Sequence, residues 1–162
     1  MKKVLITGVA GFIGSHVAKK FFREGYQVIG IDDLTGGSVE NIPNGIEFIR
    51  ADLSDSSIHQ ILPPGCSLIL HLAGQSSGEI SFDNPVLDLQ KNTISTINLI
   101  QYGIRNKSKR IVYASSMSVY GEVEDLPISE LHQTSPLSCY GVGKLSSEGY
   151  LKVFQNQYRL RF

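Results

Sequence analysis

A doubly wound α/β fold, a parallel sheet with helices on both faces, is predicted by two observations. Short runs of β-branched and aliphatic residues recur at 4–6, 27–31, 46–49, 67–71 and 110–114, and stretches with helical spacing and helix-boundary residues lie between them. Parallel strands need crossover connections, and those crossovers are right-handed, so alternating strand and helix require a sheet covered on both faces. The 162 residues, 41% of them hydrophobic, suffice for one domain with a real core and are too few for two of ordinary size.

The five runs read as buried strands. Gly25 closes a helix that begins near Phe12, Ser54 with Asp55 opens a short one, and Pro85 opens a longer one. That longer helix places Val86, Leu89, Ile97, Ile100 and Ile104 at near-helical spacing. A last helix, from about Pro136, carries Tyr140, Leu145, Leu151, Phe154 and Tyr158. With no internal repeat, low-complexity segment or charged linker, residues 1–162 are expected to form one domain.

Fifteen basic and fifteen acidic residues cancel without a long run of either sign, which argues against a nucleic-acid partner. Cys66 and Cys139 form no CxxC pair, and MKKVLITG runs into a strand and not into an apolar signal core, so a cytoplasmic protein with reduced thiols is expected. No apolar run approaches the roughly 18 residues that span a bilayer. His16, His59, His71 and His132 stand in unrelated places, which predicts no metal centre, and His71 reads as a packed strand-end histidine.

The first strand leads into Thr7-Gly8-Val9-Ala10-Gly11-Phe12-Ile13-Gly14. There Gly8 permits a tight turn, Gly11 lets backbone N–H groups approach a pyrophosphate, and Gly14 lets the helix pack on the sheet. Glycine turns of this kind also serve merely to connect elements. The second strand, however, ends in Ile31-Asp32-Asp33, which places a carboxylate 18 residues after Gly14, where it can accept hydrogen bonds from the adenosine ribose. Such an acid also repels the 2′-phosphate of NADP, so NAD is the expected cofactor; solvated turn acids are the competing reading of Asp32 and Asp33. Asp52-Leu53 follows the third strand and His71-Leu72-Ala73-Gly74 the fourth, again at the carboxyl ends where open α/β sheets bind ligands.

After the fifth strand the chain reads Ala114-Ser115-Ser116-Met117-Ser118-Val119-Tyr120-Gly121, and later Tyr140-Gly141-Val142-Gly143-Lys144. On a helix, Tyr140 and Lys144 lie one turn apart on one face. A phenol that acts as a base near neutrality needs about 4 kcal/mol of preferential stabilisation of its phenolate, which a fixed ammonium and an oxidised nicotinamide can supply. Ser116 can orient a hydroxyl or carbonyl beside the tyrosine. The same spacing also arises by chance on surface helices.

Taken together, TGVAGFIG, IDDL, HLAG, ASSMSVYG and YGVGK, in this order along essentially the whole chain, resemble the extended short-chain dehydrogenase/reductase family, and within it the nucleotide-sugar epimerases and dehydratases, UDP-sugar 4-epimerases in particular. The resemblance implies a Rossmann-like domain with Ser116, Tyr140 and Lys144 as the catalytic set. It implies Gly8, Gly11, Phe12, Ile13, Asp32, Asp52, Leu53, Ala73 and Lys144 at the cofactor, and Asn92 in support; Gly14, Asp33, Leu72, Gly74 and Tyr140 complete the candidate cofactor set.

Two departures matter. Dehydratases of the family carry an acidic pair directly after the active-site hydroxyl, where this chain has Met117 and Ser118, and the related decarboxylases usually keep a glutamate at the position of Ser118. Epimerisation at one carbon needs no second acid–base pair, so an NAD-dependent nucleotide-sugar 4-epimerase acting through a 4-keto intermediate is expected. A 4-keto reductase and a non-catalytic NAD-binding fragment are the alternatives. Family members also run to about twice this length. The chain is therefore expected to be the N-terminal part, truncated before the C-terminal substrate domain, lacking most of the sugar-nucleotide site and inactive by itself. Family dimers form through two helices, which implies residues 86–104 and 140–158 as a possible homodimer face; their apolar residues fit a core equally well.

Overall fold

The structure, a computed structural model, describes residues 2–123, 126–158 and 160–162. Its sheet contains β1 (Lys3–Thr7), β2 (Gln27–Asp32), β3 (Glu47–Arg50), β4 (Cys66–His71) and β5 (Arg110–Tyr113), all parallel, in the order β3-β2-β1-β4-β5. Each expected strand is present, with its ends moved by no more than one residue.

Side chains alternate across the strands and feed two cores. Leu5, Ile29, Ile31, Ile69 and Ile111 face Leu99, Ile100 and Leu151, while Val4, Ile6, Val28 and Leu70 face Val9, Val17, Ala18 and Phe21. Both faces are covered, as the doubly wound reading requires. The chain leaves β1 toward β2 on one side and returns to β4 on the other, so the sheet order reverses between the carboxyl ends of β1 and β4 and opens a crevice there.

Helix α1 (Phe12–Arg23) follows β1 and ends before Gly25, whose φ of +82° only glycine adopts freely. The helix expected at Ser54 begins later, as α2 (Ile58–Ile61). Asp52 and Asp55 capture the amides of Ser54 and Ser57 with their carboxylates, which holds that stretch in turns. A short α3 (Gly78–Asp83), capped by Ser77, precedes the expected long helix.

The long helix is interrupted. It consists of α4 (Pro85–Leu89), capped by Asn84, a wide π-type turn (Gln90–Ile94) and α5 (Ser95–Arg105). The wide turn breaks the 3.6-residue register. Ile100 is fully buried and Ile97 and Ile104 are half-buried, whereas Val86 and Leu89 remain 64% and 49% exposed and do not join the core stripe that their spacing suggested. Helix α6 (Cys139–Tyr158) starts after the expected Pro136, because Ser138 Oγ accepts from the N–H of Gly141. At the outer edge of β5, Arg161 pairs in parallel with Arg110. Among the described residues no helix is long and apolar enough to cross a membrane.

Candidate cofactor and active site

At the carboxyl end of β1 the glycines serve close approach. A Cβ on Gly8 would stand 2.8 Å from the amide nitrogen of Ala73, and one on Gly14 would stand 1.9 Å from the carbonyl oxygen of Gly8. Gly11 precedes α1 without any side-chain cap, so the first N–H groups of the helix and its positive dipole end face the crevice. Phe12 and Ile13 lie beside this turn, 80% and 62% exposed. Asp32, at the end of β2, is held against the same turn: Oδ2 accepts from the N–H of Ala10 at 3.0 Å and Oδ1 from that of Leu34 at 2.9 Å.

Asp33 and Asp52 come together through a residue that no sequence pattern singles out. Lys91, in the π-type turn, places Nζ 2.5 Å from Asp33 Oδ2 and 2.8 Å from Asp52 Oδ2. Burial pushes both carboxyls up, but the hydrogen bonds from Lys91, with those from Thr35 and Ser54, hold them below the usual carboxylate range. Leu53 points its side chain into the core, so only its backbone is available at the crevice.

Beneath Leu72, Ala73 and Gly74 runs a buried hydrogen-bond chain. Thr7 Oγ1 accepts from the N–H groups of Leu72 and Ala73, both at 3.0 Å, which commits its own proton to His71 Nδ1 at 2.8 Å. His71 is then the Nε2–H tautomer, donating to Thr96 Oγ1 at 3.0 Å, and Thr96 in turn donates to the carbonyl of Asn92 at 2.6 Å. Burial, with the nearby Lys144 charge, pushes the imidazole down to about 3, so it is neutral and structural.

Asn92 links this chain to the catalytic candidates. Its Nδ2 donates to Gln75 O at 3.1 Å and to Asp88 Oδ1 at 2.9 Å, while its Oδ1 is buried with no partner among the described residues. That acceptor faces Gly74, where a Cβ would stand 2.5 Å from it and 3.5 Å from Lys144 Nζ. Lys144 Nζ donates to Ala114 O at 3.0 Å and sits 5.7 Å from the centre of the Tyr140 ring. Burial pushes this ammonium down to about 8, opposed by the charge of Asp88. Ser116 opens a 3₁₀ turn (Met117–Val119), its Oγ engaged by Ser118. The turn abuts the start of α6, since a Cβ on Gly141 would stand 2.6 Å from Ser118 O.

The contacts bring Asp33 together with Asp52 through Lys91, and Asn92 together with Gly74, Lys144 and Tyr140, and they add Lys91, Asp88 and Gln75 to the residues named from the sequence, whereas Leu53 gives its side chain to the core. Asp88 is 1% exposed and one helical turn ahead of Asn92, a spacing from an already chosen asparagine that could have drawn attention to it.

The profile of the NAD dependent epimerase/dehydratase family matches residues 4–162. The chain is 35% identical to the UDP-glucose 4-epimerase of Mycolicibacterium smegmatis over 98% of its own length and 53% of the relative's. Among solved structures it resembles the UDP-glucose 4-epimerase of Thermotoga maritima, crystallised with UDP-glucose (TM-score 0.94, 35% identity, 98% of this chain and 52% of that one). It also resembles the Thermus thermophilus UDP-glucose 4-epimerase in complex with NAD (TM-score 0.90, 34% identity, 98% and 52%). The chain spans about half the length of the curated relatives it matches.

Proposed function

The chain belongs to the NAD dependent epimerase/dehydratase family, and from that premise we propose that it is the NAD-binding part of a nucleotide-sugar 4-epimerase, with a UDP-sugar as substrate. One observation carries the reading: the Lys144 ammonium, fixed by Ala114 O at the end of β5, lies beside the Tyr140 ring one turn away, at the rim of the glycine-turn crevice. The crevice suits NAD. Its phosphate turn has no room for side chains at Gly8 and Gly14, and the unpartnered Oδ1 of Asn92 offers an acceptor to a ligand donor over Gly74.

The glycine turn and the start of α1 bind the pyrophosphate in this reading, and Asp32 accepts from the adenosine ribose. NAD supplies, when bound, the acceptor and later the donor of the C4 hydride. Tyr140 takes the C4 hydroxyl proton as the carbonyl forms and returns it after the 4-keto sugar has turned, with Lys144 stabilising the phenolate and Ser116 orienting the oxygen. Residues 1–162 take the cofactor-binding role. The exposed Val86, Val142 and Val153, 64%, 51% and 64% accessible, support a homodimer face on α4 and α6, and the free thiols of Cys66 and Cys139 support a cytoplasmic setting.

The test has two parts. Denaturing the purified chain is expected to release NAD, identified by mass spectrometry, and Gly11→Asp is expected to lose it; release of NADP would instead move the 4-keto reductase to first place. Chromatography of UDP-galactose incubated with the complete epimerase of which this chain is proposed to be the NAD-binding part is expected to show UDP-glucose formed without net use of cofactor, and none with Tyr140→Phe. Product formed only with matching consumption of NADH means a reductase. Bound NAD with no turnover in either protein means a domain that holds the cofactor without catalysis.

A further inference from the structure

Lys91 is the meeting point of acids from two strand ends. Each acid is built to present one oxygen to it. Asp33 Oδ1 is held by the N–H and hydroxyl of Thr35 at 2.9 and 2.6 Å, and Asp52 Oδ1 by the N–H and hydroxyl of Ser54 at 2.9 and 2.8 Å. Oδ2 of both carboxylates is left to the ammonium. The Lys91 and Asp33 side chains are only 18% and 22% exposed, so solvent does not dissolve this pair as it does an ordinary surface pair.

The place of this clasp gives it a meaning. In dinucleotide sites the end of the second strand reads the adenosine ribose: an acid accepts from the 2′-hydroxyl of NAD, or a nearby cation accommodates the 2′-phosphate of NADP. Both chemistries are present here. Asp33 follows directly on Asp32, and the cation that reaches this loop is neutralised by the acids it touches.

Resting on the NAD-binding reading above, we propose that Lys91 is a latent receptor for a 2′-phosphate, masked by Asp33 and Asp52, and that this masking adds to the repulsion by Asp32 in setting the preference for NAD over NADP. An arriving 2′-phosphate meets three carboxylates, of Asp32, Asp33 and Asp52, and can use Lys91 only by displacing one of them. Removing Asp33 releases the ammonium toward the ribose while leaving Asp52 to position it.

The experiment is calorimetric titration of the 162-residue chain with NAD and with NADP, using the parent, Asp33→Ser, Asp33→Asn, Lys91→Met and Asp33→Ser/Lys91→Met. Both Asp33 variants are expected to raise the NADP affinity relative to NAD by about 30-fold, the scale of a charge-assisted bond to phosphate. The double variant is expected to return to within about threefold of the Lys91→Met ratio. A gain that survives the loss of Lys91 overturns the proposal, because simple relief of repulsion by Asp33 then suffices. A parent that binds NAD and Asp33 variants with no gain overturn it as well. A parent that binds neither cofactor overturns the NAD reading itself.

Discussion

Thr7 Oγ1 and His71 Nδ1 meet 2.8 Å apart at the carboxyl ends of neighbouring strands β1 and β4, both side chains essentially inaccessible. Because the threonine oxygen already accepts two N–H groups, the histidine must accept from it, and the imidazole stays uncharged. The floor of the crevice is therefore held by a neutral chain of bonds reaching from β1 through β4 to the π-type turn that carries Lys91 and Asn92.

A pH dependence of stability follows from His71. Its folded value of about 3 lies below the ordinary 6.5, so between those limits the unfolded chain binds one proton more. Stability is full above pH 6.5 and is lost as pH falls toward 3, by up to about 5 kcal/mol at ~1.4 kcal/mol per unit. Urea melts of His71→Gln, which keeps a donor and an acceptor, are expected to show a flatter profile across this window. A slope equal to the parent's would mean that the acid loss comes from carboxylates such as Asp33 and Asp52, whose lowered values act in the same direction.

Lys144 acts in the same direction in a higher pH window. Its ammonium, held down to about 8 by burial, is protonated more readily in the unfolded chain between pH 8 and 10.5, so stability rises with pH through that interval and the full penalty stands below it. Lys144→Met removes the buried charge and loses the bond to Ala114 O, worth about 1 kcal/mol. The variant is expected to melt about 3–6 °C higher at pH 7, on a net gain of about 1–2 kcal/mol, with no advantage left above pH 10.5, and to bind NAD more weakly. A lower melting temperature at pH 7 would show that the ammonium is a net stabiliser.

The turn glycines differ in what they tolerate. Gly14→Ala places a methyl 1.9 Å from one backbone oxygen and 2.6 Å from its carbon, neither of which can move alone. A loss of at least about 3 kcal/mol, or no folded protein, is expected on thermal melting. Gly36→Ala, whose Cβ meets nothing within 4 Å, is expected to be neutral or to gain up to about 1 kcal/mol. Equal melting temperatures for the two would contradict the packing described for α1 on the phosphate turn.

The sequence shows the sheet well because buried parallel strands are continuous aliphatic runs punctuated by glycine, and the crevice motifs sit where those runs stop. It shows the interruption at Gln90–Ile94 poorly, since those residues fit an ordinary helix and only tertiary contacts widen the turn. Lys91 bonds to partners 58 and 39 positions away, a relation no local spacing carries. Asp88 reads as a solvent-facing helix acid, and its burial comes from packing against α6 and from Gln75 and Asn92, which arrive from two different segments.

Asp88 offers a test of how the active-site charge is set. Its Oδ1 accepts from Gln75 Nε2 at 3.0 Å and from Asn92 Nδ2 at 2.9 Å, and Oδ2 lies against Gly143, the neighbour of Lys144 in α6. Burial pushes the carboxyl up, yet its charge is what opposes the fall of the Lys144 ammonium. His71 on the other side is neutral and gives no such support. Asp88→Ala leaves two shielded donors without an acceptor and is expected to cost about 2–4 kcal/mol in urea melts. Asp88→Asn keeps the acceptor oxygen and removes only the charge, so the fold is expected to stay close to the parent's stability while Lys144 gives up its proton at lower pH. Calorimetric NAD binding followed from pH 6 to 10 is then expected to weaken at a lower pH in Asp88→Asn than in the parent, and to show no such limb in Lys144→Met. An alkaline limb unmoved by Asp88→Asn would leave Asp88 the task of orienting Asn92 and Gln75 alone.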